Sequence, residues 1–277
     1  MKTTEKNKTK SQKPMKIIDA HAHIFPEKIA EKAVASIGDF YDIPMRGNGT
    51  SEMLLKSGET IGVEKYLVCS TATKPQQVIP INDFIYDECQ KHDEFVGFAT
   101  LHPFMENIEQ EIERILSLGF KGIKLHPDFQ LFHIDDEKAM KMYKRVEGKL
   151  MILFHTGDDR YDYSRPTRLA RVCDKFPDLK CIAAHFGGYQ NWDEAYEAYD
   201  SQNIYMDTSS SLFQLNPEHA LKMIDKFGVN QFFFGTDFPM WSHKQELDRL
   251  FNLNLSDEDL QSILYWNFYN TVLNDNR

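Results

Sequence analysis

Short apolar runs alternate with amphipathic segments along almost the whole chain. The runs are rich in Val, Ile, Leu, Phe and Ala, and several are nearly continuous. Such runs are typical of strands that are buried on both faces, as in a parallel sheet. Eight of them are present, at 15–20, 65–69, 95–101, 121–125, 150–154, 179–184, 204–207 and 231–235.

The segments between the runs have helical periodicity. In Glu106–Leu118 apolar residues recur at three- and four-residue spacing, and Gly119 follows as a stop signal. The other predicted helices cover 135–147, 164–176, 217–227 and a long C-terminal stretch after Ser256. Eight strand–helix units predict an α/β fold, a (β/α)8 TIM barrel, whose usual size is about 250 residues. A doubly wound open sheet is the alternative, although no GxGxxG follows the first run.

One interval is too long for a simple strand–helix unit. More than forty residues separate His23, near the end of the first run, from Lys65, near the start of the second. They contain a helical pattern at 29–37 and a loop pattern at 46–50. In a barrel this insertion after strand 1 would lie on the catalytic face. We expect one domain over 15–277, preceded by a disordered basic tail at 1–14 that has too few apolar residues to fold.

Composition excludes several classes of function. The chain has 32 Lys and Arg against 42 Asp and Glu, and six of the Lys lie in residues 1–16, so the rest is strongly acidic. An acidic body binds polyanions poorly, which argues against nucleic acid as a partner. No apolar run approaches the ~20 residues that span a bilayer, and no signal-peptide core is found, so we expect no membrane partner and a cytoplasmic location. The four cysteines form no CxxC pair and are expected to be single thiols.

Histidines at the ends of the predicted strands indicate the chemistry. His21 and His23 close the first predicted strand and share one face, because they are two residues apart on it. His155 closes the fifth predicted strand, His185 the sixth and Asp237 the eighth. Since parallel barrel strands end at one rim, we expect these side chains to be neighbours. Each alone has an ordinary explanation, such as an N-cap for Asp237, but together they predict a metal site.

These residues lie within longer motifs. The motifs are IIDAHAHIFP (17–26), GFATLHP (97–103), GIKLHP (122–127), LFHTG (153–157), AHFGG (184–188), YMDTSS (205–210) and FGTDFP (234–239). In order and spacing they resemble the amidohydrolase superfamily, and within it the amidohydrolase-related group that includes decarboxylases of the aminocarboxymuconate-semialdehyde type. The resemblance implies one divalent metal bound by His21, His23, His155 and Asp237, with His185 beside a metal-bound water. Zn²⁺ is the expected ion, and Mn²⁺, Fe²⁺ or Co²⁺ would suit the same donors.

Strand 4 leaves the metal count open. Dinuclear relatives bridge two metals through a Lys or Glu on this strand, and here Lys124 and His126 share one face. One metal is favoured, and a second one bridged by carbamylated Lys124 is the alternative. His126 and His102 each precede a proline, where they either line the pocket or simply end their strands. The remaining histidines are expected to be solvated; they are His92, His133, His219 and His243.

Clues to the substrate come from the loops. Arg160 and Arg46 are candidates to hold a substrate carboxylate, although a surface ion pair is the commoner role of a single Arg. Phe25 and Trp241 are candidate pocket residues. A small-molecule substrate follows from this set, and a homodimer is left open.

The resemblance implies a metal-dependent hydrolase of a small carboxylate-bearing, amide, ester or lactone substrate. The alternative is a non-oxidative decarboxylase of an unsaturated or aromatic acid. In either reaction Asp237 would carry the proton, and His185 would orient water or stabilise an oxyanion. A regulatory protein with a relict metal site is a third interpretation.

Overall fold

A single sheet of eight parallel strands organises the protein. The computed structural model describes residues 15–200 and 203–274, so the predicted tail at 1–14 lies outside the described residues. The strands are β1 (Ile17–His23), β2 (Val63–Cys69), β3 (Phe95–Thr100), β4 (Gly122–Leu125), β5 (Met151–Phe154), β6 (Cys181–Ala183), β7 (Ile204–Asp207) and β8 (Phe232–Phe233). They pair in sequential order from β1 to β8, and each neighbouring pair is parallel.

The last strand and the loop after it return to the first strand. Ala20 N donates to Phe234 O at 2.8 Å, and Asp237 N donates to His21 O at 2.8 Å. Further along, His23 N donates to Phe238 O at 2.7 Å. These bonds bring the two edges of the sheet together into a nearly closed barrel. The predicted (β/α)8 TIM barrel is therefore confirmed, and the open-sheet alternative is wrong.

Helices cover the outside of the barrel between the strands. They are α1 (Glu27–Tyr41), α2 (Ser51–Glu59), α3 (Val78–Lys91), α4 (Ile108–Ser117), α5 (Pro127–Gln130), α6 (Glu137–Val146), α7 (Pro166–Lys175), α8 (Trp192–Ala198), α9 (Pro217–Phe227), α10 (His243–Phe251) and α11 (Asp257–Gln261). The insertion after β1 consists of α1, α2 and the loop between them. Among the described residues no helix combines the length and apolarity needed to cross a membrane.

The C-terminal region differs from the prediction of one long helix. After α11 the chain continues as two π-helical segments, Ser262–Trp266 and Tyr269–Leu273. Their apolar side chains, including Tyr265 and Val272, join the cluster that fills the barrel interior. Ile263 O also accepts a bond from Phe234 N. Packing against the barrel therefore outweighs regular α-helical geometry here.

The apolar core has two layers. A larger cluster lies between the sheet and the helices, and a smaller one fills the barrel interior around Ile18, Leu67, Phe98 and Leu153. The predicted single thiols are confirmed, because all four cysteines are free. The filled interior leaves the rim at the carboxyl ends of the strands as the place for polar side chains.

Candidate metal centre

The end of β1 presents two imidazoles to the centre of the rim. The pairing of β1 with β2 is irregular between Asp19 and Ala22. Asp19 supports this irregular stretch, because its Oδ1 accepts from His21 N and from Thr236 N, both at 3.0 Å. Bulges and irregular pairings beside active sites redirect side chains. Here the irregularity sets the orientation of His21 and His23.

Three ligand-type atoms converge at this point. His21 Nε2 and His23 Nε2 are 3.1 Å apart, and Asp237 Oδ1 lies 3.6 Å from the first and 3.4 Å from the second. Tetrahedral coordination with bonds of about 2.0–2.1 Å places neighbouring ligand atoms about 3.3 Å apart. The observed separations fit that spacing, so this trio is suited to hold a divalent cation.

A buried carboxylate fixes the ring of His21. Asp207, the last residue of β7, is fully buried, and its Oδ2 accepts from His21 Nδ1 at 2.9 Å. Burial opposes ionisation of Asp207, but His21 outweighs it and lowers the pKa to about 2. With Nδ1 engaged, His21 Nε2 is left for a metal, an outer-shell arrangement common at metal sites. The sequence analysis did not single out Asp207, although its place at a strand end was the available signal.

Asp237 is held in a strained loop after β8. Its φ is 55°, and His185 likewise has a φ of 63°. Non-glycine residues in this region cost on the order of 1–3 kcal/mol, and they concentrate at functional sites. Burial favours protonation of Asp237, but His21, His23 and His185 hold its pKa well below the usual range. The N-cap alternative for Asp237 is wrong, because Ser242 caps the following helix α10.

His155 and His185 form a hydrogen-bonded pair beside the trio. His155 Nδ1 lies 3.0 Å from His185 Nε2, and His185 Nδ1 lies 3.0 Å from Ser209 Oγ. Burial lowers the pKa of His185 to about 4, which makes it neutral at pH 7. His155 does not belong to the trio of His21, His23 and Asp237, whose ligand atoms lie within 4.8 Å of one another. Its role as a fourth ligand, and that of His185 beside a water, stay predictions.

His126, at the end of β4, faces the same cavity. Its ring stacks on His155 with centroids 3.9 Å apart and planes 6° apart. His126, His155 and Asp128 also lie within ligand distance of one another. Stacked, parallel imidazoles direct their lone pairs side by side, so one ion cannot lie in both ring planes. His126 and His155 are therefore not suited to share one ion, which leaves His155 free to act as a single ligand.

Tyr41, the last residue of α1, was missed by the sequence analysis. Its hydroxyl lies 2.9 Å from His126 Nε2 and 3.4 Å from His155 Nε2. Burial, reinforced by Asp237, raises its pKa well above the usual range, so the hydroxyl keeps its proton. No sequence signal marked it, because a tyrosine at the end of an inserted helix reaches the rim only through tertiary packing.

Lys124 lies on the floor of the site. It is 1 % exposed, and its Nζ is 3.0 Å from His21 Nε2. Burial lowers its pKa. The side chain therefore lies next to the trio, and its carbamylation stays a prediction.

A cavity of about 790 Å³ opens above these groups. Phe25, Phe40 and Phe129 contribute aromatic walls, and His23, Lys124 and Asp237 lie at the inner end. Phe25 thus lines the cavity, and its contact with a substrate stays a prediction. Among the described residues Arg160, Arg46 and Trp241 are not part of the lining.

Those three side chains have other contacts. Arg160 forms an ion pair with Asp158 at 2.7 Å and packs over the rings of Phe40 and Tyr41, so it contacts residues of the wall. Arg46 is exposed. Trp241 is buried, and its Nε1 donates to Ser210 Oγ at 3.0 Å.

The prediction that His243 is solvated is wrong. This residue is fully buried, with Nε2 3.0 Å from Asp19 Oδ2 and Nδ1 2.8 Å from Ser57 Oγ. His102 is also buried and lies outside the described lining of the cavity. His243 thus contacts the same carboxylate that accepts from His21 N.

The family follows from a comparison with known sequences. The family model described as Amidohydrolase matches residues 18–267, which span β1 through the first π-helical segment. The chain belongs to the amidohydrolase family. Members of this superfamily are metal-dependent enzymes, in agreement with the converging trio. The family predicted from the sequence motifs is therefore confirmed. A comparison with curated proteins found no significant match.

Solved structures of other proteins share the amidohydrolase barrel of this chain. A TIM-barrel protein from Bordetella bronchiseptica has a TM-score of 0.75 at 17% identity, covering 92% of this chain and 98% of that one. The 5-carboxyvanillate decarboxylase of Sphingomonas paucimobilis has a TM-score of 0.71 at 15% identity, covering 94% of this chain and 99% of that one. A manganese-containing dihydroxybenzoic acid decarboxylase from a Polaromonas species gives 0.69 at 17% identity, with 92% and 96% covered. At these identities the likeness concerns the fold.

Proposed function

We propose that this amidohydrolase is a metal-dependent, non-oxidative decarboxylase of an aromatic or unsaturated acid. The observation that carries the proposal is an aromatic-walled cavity that opens directly onto the His21–His23–Asp237 trio. Two structural neighbours named above are decarboxylases of aromatic acids, which supports this reaction over the hydrolysis favoured by the sequence motifs.

The metal would be held by His21, His23 and Asp237, with His155 as the fourth ligand. Imidazole and carboxylate donors suit Zn²⁺, and Mn²⁺ is an equal candidate. When bound, the ion would hold the substrate's oxygens and withdraw electron density from the bond that breaks.

The cavity wall favours an aromatic or unsaturated substrate. Phe25, Phe40 and Phe129 offer an apolar surface to a planar ring. With the ring packed against these side chains, the carboxylate would point to the floor, where His23, Lys124 and Asp237 lie.

Asp237 is the candidate proton carrier. Its low pKa makes it a carboxylate at neutral pH, able to accept a proton from water or from a substrate hydroxyl. As the C–C bond breaks, the electron pair remains on the ring carbon, and that carbon takes up the proton. Ser210 Oγ donates to Asp237 Oδ2 at 2.7 Å, which leaves Oδ1 on the side of His21 and His23.

The pair His155–His185 gives the inner wall a fixed orientation. A neutral His185 can accept from His155 Nδ1 and donate through its own Nδ1 to Ser209. That arrangement leaves His155 Nε2 on the cavity side, where Tyr41 also lies. His185 thus serves as a positioning residue for His155.

The test is a product assay on two substrate panels. Metal-loaded protein is incubated with hydroxylated benzoates, and released CO2 is measured; a parallel panel contains esters, amides and lactones. We expect CO2 from at least one hydroxybenzoate. Turnover confined to the second panel would overturn the proposal in favour of a hydrolase. Bound metal without turnover in either panel would favour the relict-site interpretation.

A further inference from the structure

A group of apolar side chains lines the cavity in addition to the residues near the trio. We call the part of the cavity that they line the outer chamber. One wall comes from the insertion after β1 and the other from the start of α3. Its apolar side chains are Ile29, Ile37, Met45, Pro80, Ile81 and Phe84.

These side chains keep part of their surface exposed in the cavity. Ile29 is 51% exposed, and Ile37, Ile81 and Phe84 are partly buried, the last two against the core between sheet and helices. Exposed apolar surface is costly in water, and a concave apolar patch continuous with an active site is typical of a ligand-binding surface. The surface that stays exposed therefore suits an apolar occupant.

The size of the cavity exceeds that of a single ring. Benzene fits a cavity of about 150 Å³, whereas the whole cavity measures about 790 Å³. A one-ring acid held at the trio would fill the inner end and leave the outer chamber empty. Additional substrate atoms beyond the ring would fill it.

The charged residues of the cavity lining indicate whether those additional substrate atoms are charged or apolar. Among the described lining residues, Lys124 lies at the floor and Lys32 is exposed at the outer edge. Arg46 and Arg160 lie outside the lining. The chamber thus offers no buried cation to a second carboxylate, within the part of the chain that the structure describes.

We infer that the substrate is an amphiphilic aromatic or unsaturated monocarboxylate, with an alkyl chain or a second ring opposite the carboxylate. The carboxyl end binds at the floor and the apolar substituent binds in the outer chamber. The inference rests on the proposed function for the reacting end only.

A homologous series tests the apolar substituent. The ligands are 4-methyl-, 4-propyl- and 4-pentylbenzoate, which present a carboxylate but lack the hydroxyl that activates decarboxylation. Binding to the metal-loaded protein is measured by calorimetry. Each buried methylene should tighten binding about fourfold, which corresponds to ~0.8 kcal/mol. Equal affinities along the series would overturn the inference.

Two substitutions test whether the alkyl chain binds in the outer chamber. Ile37→Asn on α1 and Ile81→Asn on α3 should each weaken pentylbenzoate binding several-fold and leave methylbenzoate binding unchanged. Ile79→Asn is the matched control, because Ile79 is on the same helix and 46% exposed but does not line the cavity. A control variant that weakens pentylbenzoate binding as much as Ile81→Asn would contradict the assignment.

Two further measurements separate the outcomes. Turnover of unsubstituted hydroxybenzoates with no chain-length effect would retain the decarboxylase and reject the apolar substituent. A chain-length effect without CO2 release would retain the apolar ligand and reject the reaction. Light scattering tests whether a second copy of the chain covers the outer chamber instead. The inference would be overturned if the protein is a dimer that Ile81→Asn dissociates and if the three ligands bind with equal affinity.

Discussion

Two groups of histidines lie at the same rim, and they differ in ring orientation. In the first, His21 and His23 direct their Nε2 atoms at each other and at Asp237. In the second, His126 and His155 stack face to face at 3.9 Å. Both groups are largely buried and rich in imidazole. Convergence of lone pairs, rather than residue type or burial, marks the first group as the centre of the candidate cation site, and His155 of the second group would join it only as a single ligand.

The largest effect should come from removing the converging pair. A His21→Ala, His23→Ala double variant should lose essentially all bound metal, because two of the ligands disappear together. Metal per chain is measured by atomic absorption. His133→Ala is the control, since His133 is partly exposed and outside both groups. Full occupancy in the double variant would remove the metal-site hypothesis.

Asp237→Asn should separate catalysis from metal retention. The amide keeps one ligating oxygen but cannot act as a carboxylate base, so turnover should fall by roughly 10²–10⁴-fold or more. Metal content should fall far less. The measurement pairs atomic absorption with turnover on whichever substrate is active. Turnover close to that of the unaltered protein would reject the proton-carrying role.

Asp207→Asn tests the carboxylate behind His21. The shape is kept, but the charged acceptor for His21 Nδ1 is lost, so metal affinity should fall by roughly 10–100-fold. Competition with a chelator measures it. Asp83→Asn provides a control, because Asp83 is an exposed carboxylate that pairs with Arg114. Unchanged affinity in Asp207→Asn would show that the ring of His21 is fixed by packing alone.

The smallest effect is expected at Tyr41, whose hydroxyl contacts both rings of the stacked pair His126 and His155. Tyr41→Phe removes one hydroxyl and should leave metal affinity unchanged. Turnover should fall about fivefold, the equivalent of a single hydrogen bond of ~1 kcal/mol. A large loss of metal would mean that Tyr41 supports the metal site, which would erase the contrast between the two groups.

Much of the fold could be predicted because the sequence patterns are local. The helix predicted at 217–227 is α9, Pro217–Phe227, where Asn216 accepts from Glu218 N as the cap. The first strand is predicted to end near His23, and β1 ends there. Other bounds shifted by a few residues, as for Glu106–Leu118 against α4. The C-terminal π-helical segments could not be predicted, because packing against the barrel decides them.

The candidate site likewise has residues that could be predicted from the sequence and residues that could not. His21, His23, His155, His185 and Asp237 could be identified from the sequence because strand ends are visible in hydrophobic patterns. His243 and Tyr41 could not be placed. The first is buried against Asp19, more than 200 residues away in the sequence, and the second reaches the rim from an inserted helix.

The sequence by itself determined the barrel, the family and the residues at the carboxyl ends of the strands, because periodicity and motifs are properties of neighbouring residues. Only the tertiary structure decided which rings converge and which stack. It also decided that Arg46 and Trp241 are outside the cavity lining and that apolar side chains of the insertion and of α3 line one cavity. Side-chain direction and long-range packing depend on contacts between segments far apart in the chain, and no local pattern encodes them.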